Sequence, residues 1–115
     1  MIQLQYAEIQ AESVADARER ERELLQRSID LLKRSTQEDA ETFALVEALH
    51  FTIRLWSSFL EDLADDNNEL PKELRANLIS IGIWILRESE NIRQGESTNV
   101  EAIIEVSEIL KDGIK

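Results

Sequence analysis

Hydrolytic and metal chemistry in their usual forms draw on imidazole, and the chain has one histidine. His50 stands between Leu49 and Phe51, where a satisfied, partly buried side chain is the expected fate and no Ser/His/Asp triad or histidine metal set can be assembled around it. With no cysteine, thiolate nucleophiles, disulfides and thiolate zinc sites are excluded. Glycines at 82, 95 and 113 are too scattered to form a loop whose backbone N–H groups cradle a phosphate. Asp65, Asn67 and Glu69 place oxygens at alternate positions, as the first half of a calcium loop does. The sixth and twelfth positions, however, are Leu70 and Ala76, where that loop needs glycine and a bidentate glutamate. Glu61, Asp62, Asp65 and Asp66 therefore read as a solvated acidic helix end. No carboxylate pair is expected in an apolar setting that would raise its pKa. The residues predict a protein without enzymatic activity, cofactor or metal, and leave apolar surface as the functional material.

That surface has to be positioned by helices, because Gly and Pro are nearly absent and each break falls at a breaker. The spacing predicts four. The first spans about 13–34, N-capped by Ser13 and facing its core with Leu25, Ile29 and Leu32. Within it, the alternating charges from Arg18 to Glu23 read as a solvated face. The second spans about 39–64 with a main stripe of Val46, Leu49, Ile53, Trp56, Leu60 and Leu63. A separate ridge, Phe51, Leu55 and Phe59, points away from that stripe. The third runs from Pro71 to about 94, with Leu74, Leu78, Ile81, Ile85 and Ile92 on one face and Ile79, Ile83 and Leu86 on nearly the opposite one. Gly95 is its expected left-handed stop, and Gly82 inside it suggests close approach of another backbone. Thr98 and Glu101 form a capping-box pattern for the fourth helix, which ends at Gly113.

Ahead of these, Ile2, Leu4 and Tyr6 alternate with polar residues, a period of two that predicts a short extended arm over 1–12. The fold class expected is all-α: a single-domain bundle of four helices over 13–115 preceded by that arm. At 115 residues there is material for one modest core and little room for an enclosed catalytic cavity.

Charge narrows the partners. The formal net charge is −11, and residues 37–70 hold nine acidic side chains against the single base Arg54. Such a surface repels phosphate chains and anionic leaflets. No stretch is apolar and long enough to span a bilayer, and with no cysteine the chain is expected in the cytoplasm.

Arg54-Leu55-Trp56, the run 61–64, and above all Leu70-Pro71-Lys72-Glu73-Leu74-Arg75-Ala76-Asn77-Leu78-Ile79-Ser80-Ile81-Gly82-Ile83-Trp84 resemble the FlaF family of flagellar regulators of alphaproteobacteria. The similarity extends from Tyr6 to the tail Lys111-Asp112-Gly113-Ile114. The resemblance implies a cytoplasmic, non-enzymatic chaperone or adaptor that binds flagellin and works with the regulator FlbT, coupling flagellin synthesis to export and filament assembly. Joined to the surplus ridges, it implies a helix-in-groove site lined by Leu55, Phe59, Ile79, Ile83 and Trp84, with 61–66 as an acidic rim. A charge at Ile83 is then expected to abolish flagellin binding. The alternative is a post-transcriptional regulator acting on flagellin mRNA or through FlbT. Its local support is Arg18, Arg20, Arg22 and Arg27, a stretch that is nearly neutral because acids are interleaved. Pairing of the surplus ridges in a homodimer is a third use of the same surface.

Overall fold

The computed structural model describes the backbone of residues 2–113 and the side chains of residues 15–113. Its elements are α1 (Ile2–Ser35), α2 (Ala44–Ala64), α3 (Lys72–Arg93) and α4 (Val100–Gly113). No strand occurs among the described residues. α1 packs on α2 and α4, and α3 packs on the same two, so the helices close a ring. Lys33 to Glu108 at 2.8 Å and Lys111 to Gln26 at 2.6 Å match rising numbers in α4 with falling numbers in α1. Ser28 meets Thr52 in α2, and Glu21 faces Asp62. Neighbours therefore run antiparallel, giving the up-down-up-down bundle that short connections favour.

Two boundaries differ from expectation. Of the arm expected over 1–12, Met1 lies outside the described residues, and from Ile2 the backbone is not extended but helical, running without interruption through Ser13. Three alternating apolar residues are a weak strand signal, and the segment has no Gly or Pro to stop a helix already nucleated behind it, where each added residue propagates cheaply. α2 begins at Ala44 instead of near 39. The chain between instead forms successive turns, Ala40 N–H donating to Gln37 O and Ala44 N–H to Glu41 O, with Asp39 held by Arg34 at 3.2 Å.

The other ends follow local chemistry. Pro71, with no N–H to lose, is the N-cap of α3, and its carbonyl accepts from Arg75 N–H at 2.9 Å. Gly95 has φ +80°. Its N–H donates to Ile92 O, and Glu96 N–H donates to Asn91 O, which is the Schellman closure. At the start of α4, Ser97 does the holding: its hydroxyl donates to the Glu88 carboxylate and accepts from Asn99 N–H.

The core face of α2 lies between the two ridges seen in the sequence. Ala48, Leu49, Thr52, Leu55, Trp56 and Leu63 are buried, whereas Val46 is exposed. The ridges are flanks of one wide face whose centre is made of small residues. Thr52 Oγ1 donates to Ala48 O at 2.8 Å, so its single proton is used and Ser28 Oγ must donate to it across the helix pair at 2.7 Å. Gly82 is buried, but what approaches it is side chain and not backbone. A Cβ there would lie 2.8 Å from Leu60 Cδ2 and 3.0 Å from Trp56 Cε3.

Ser89 and Ser107 are fully buried, and their hydroxyls have no partner among the described residues. An unpaired buried hydroxyl costs free energy, and serine is a poorer helix former than alanine. Ser89→Ala and Ser107→Ala are each expected to stabilise the bundle by about 1 kcal/mol in urea unfolding. Destabilisation of that size would show that the hydroxyls are bonded.

Candidate partner-binding groove

α4 has 14 described residues and α3 has 22, so at 1.5 Å per residue α3 is about 12 Å the longer. A groove of about 540 Å³ opens between the start of α3 and the last described turns of α4. Leu25, Trp56, Phe59 and Leu63 form its floor, with the rings of Trp56 and Phe59 edge to face at 5.2 Å and 89°. Leu70 from the loop before α3 and Leu74 and Leu78, i and i+4 on that helix, line one wall, and Ile109, Leu110 and Gly113 line the other. Leu70 is 39% exposed, Leu74 44% and Ile109 71%.

The loop before α3 is built to present Leu70. Asp65 Oδ1 accepts from Asn67 N–H at 2.9 Å, and Asn68 Oδ1 accepts from Leu70 N–H at 3.0 Å, two successive Asx turns. Asn68 Nδ2 also donates to Asp62 O at 2.9 Å, pinning the loop to the end of α2.

Arg18, Glu21, Asp62 and Asn68 complete the groove's edge. Here a carboxylate pair does occupy a partly apolar setting, contrary to the sequence-based expectation. Burial raises the Glu21 carboxyl above its ordinary value of 4.5, and Asp62 across the helix pair raises it further against the opposing pull of Arg18 and Arg20. The folded state therefore binds this proton more tightly than the unfolded chain does. Stability is lost as pH rises from about 4.5 through the raised folded value, and the deficit persists at neutral pH. Glu21→Gln is expected to raise the melting temperature at pH 7, with the gain fading as pH falls to 4.5 and below. A gain independent of pH would mean that charge is not its cause.

Of the five docking residues expected from the sequence, Leu55, Phe59, Ile79, Ile83 and Trp84, Phe59 alone lines the groove. Leu55, 7% exposed, belongs to the core, while Ile83 at 41% and Trp84 at 37% stand on the outside of α3 with Ile79 half-buried beside them. At 100° per residue Ile83 points about 180° away from Leu74. In the acidic stretch Asp62 reaches the edge, and Glu61, Asp65 and Asp66 are exposed without lining it. His50 is exposed, not partly buried. Arg27 stacks over the Phe51 ring at 5.5 Å and Arg22 pairs with Glu19 at 3.3 Å, so part of the basic stretch is engaged within the bundle. Sequence reasoning did not find Ile109 or Leu70. The signal for Ile109 was an isoleucine off the apolar face of an amphipathic helix.

Among the described residues no helix is long and apolar enough to cross a membrane. No curated protein and no solved structure matches the chain. A family model described as flagellar protein FlaF matches residues 2–114, essentially the whole length. The chain belongs to the FlaF family of flagellar proteins.

Proposed function

We propose that this protein is a cytoplasmic flagellin-binding chaperone or adaptor that couples flagellin synthesis to export and filament assembly. It acts without catalysis, by docking an amphipathic helix of flagellin in the groove between α3 and α4. The observation that carries the reading is the ring of exposed Leu70, Leu74 and Ile109 around a floor of Trp56 and Phe59, in a chain of a flagellar family. Apolar ends of a filament subunit have to be covered reversibly before assembly, and an open groove does that without enclosing them. The docking residues in this reading are Phe59, Leu70, Leu74, Leu78 and Ile109. The outer face of α3, with Ile79, Ile83 and Trp84, is the competing surface.

Titration calorimetry against soluble monomeric flagellin tests the proposal. Saturable binding with a negative heat-capacity change is expected, because apolar surface leaves water. Absence of binding at accessible concentrations would sink direct docking and favour action through FlbT.

A further inference from the structure

We infer that the groove takes a short amphipathic helix carrying a basic side chain at the edge of its apolar face, seated between Glu21 and Asp62. The inference rests on the reading that the groove docks a protein segment, and it names the chemistry of that segment.

The geometry points to a helix. Leu74 and Leu78, i and i+4 on α3, are spaced to form a ridge that interlocks with the side-chain rows of another helix, and Leu70 extends the apolar wall from the loop before them. A segment with apolar residues at i, i+3 or i+4, and i+7 would lay one face between Leu74 and Leu78 on one side and Ile109 and Leu110 on the other.

The edge points to a cation. Glu21 from α1 and Asp62 from α2 meet at the groove with like charge, and Glu21 is already partly desolvated. An occupant that covered them with apolar atoms would bury carboxylates without partners, and an acidic occupant would add repulsion. A Lys or Arg seated there resolves both, gaining charge-assisted hydrogen bonds in partial shelter from water. Arg18, exposed and on the same helix as Glu21, lines this edge too and opposes the Asp62 charge in part, which leaves one base against two acids. The net charge of −11 adds long-range attraction for a basic segment.

The test uses the full chain and three synthetic helical peptides that share one leucine face and differ only at the edge position, which is Lys, Gln or Glu. The Lys peptide is expected to bind about tenfold more tightly than the Glu peptide at low salt. That preference is expected to disappear in the Glu21→Gln, Asp62→Asn double variant, whose helicity is checked by circular dichroism. Equal affinity for all three peptides, a preference that survives in the double variant, or no binding of any peptide would overturn the inference. Flagellin is titrated in parallel with both forms of the protein. Flagellin bound equally by both, with no peptide preference, removes the charge recognition and leaves the chaperone reading standing. A Lys preference with no flagellin binding does the reverse.

Discussion

Replacing Leu74 with glutamate is expected to weaken flagellin binding at least about a hundredfold while leaving helix content and melting temperature nearly unchanged. Leu74 is a wall residue that the bundle does not bury, so a charge there costs the free protein little. Docking, however, would force that charge against an apolar face. Ile83→Glu is the matched control. It lies on the same helix with similar exposure, but about half a turn around the axis, and is expected to bind flagellin within about twofold of the unaltered protein. Calorimetry on the two variants separates the surfaces. Loss in Ile83→Glu with retention in Leu74→Glu would move docking to the outer face of α3.

Trp56→Ala is expected to be the most damaging single change to the fold, costing about 3–5 kcal/mol in urea unfolding. Trp56 is 3% exposed and packs against Phe59 and the Gly82 backbone while also flooring the groove. Truncation opens a cavity in the core beneath the groove. Against a total of about 5–15 kcal/mol for a domain, that loss brings the protein close to unfolding at physiological temperature. The indole Nε1 is buried without a partner among the described residues, so Trp56→Phe, which keeps a ring and deletes the unpaired N–H, is expected to cost no more than about 1.5 kcal/mol. Equal losses for Ala and Phe would show that Nε1 is bonded and that the bond, not the packing, is what matters.

Helix identities and most ends were legible because each rests on local chemistry. Gly95 supplies a positive φ, Pro71 supplies a carbonyl without needing an N–H, and the apolar run 78–86 lies between them with nothing to turn it into a strand. Orientation of α2 was less legible. Ala48 and Thr52 form the centre of its buried face, yet one is small and the other polar, so a hydrophobicity pattern assigns the core to their larger neighbours. Thr52 is tolerated there because Ser28 of α1 bonds it, a partner 24 positions away that no local window contains. The first residues were misread for the opposite reason. A three-residue alternation was given more weight than the absence of any helix breaker.

The groove depended on information the pattern does not hold. Phe59 was identified as a surplus apolar residue and does line it. Leu74 and Leu78 looked like core because they continue the stripe that ends in Ile85 and Ile92. They line the groove between the start of α3 and the last described turns of α4, and Leu74 is exposed there. Exposure here is set by how the helices sit against one another, a tertiary property. The pairing of Glu21 with Asp62 has the same origin, since the two are 41 positions apart and meet only once α1 and α2 are antiparallel.

The central claim is that the face between α3 and α4 receives flagellin. It is tested most directly by a methyl NMR footprint of the protein titrated with unlabelled monomeric flagellin. Shifts and broadening are predicted at the methyl groups of Leu74, Leu78, Ile109 and Leu110, with those of Ile79 and Ile83 unmoved. Perturbation confined to Ile79 and Ile83, or an unchanged spectrum in the presence of excess flagellin, would contradict it.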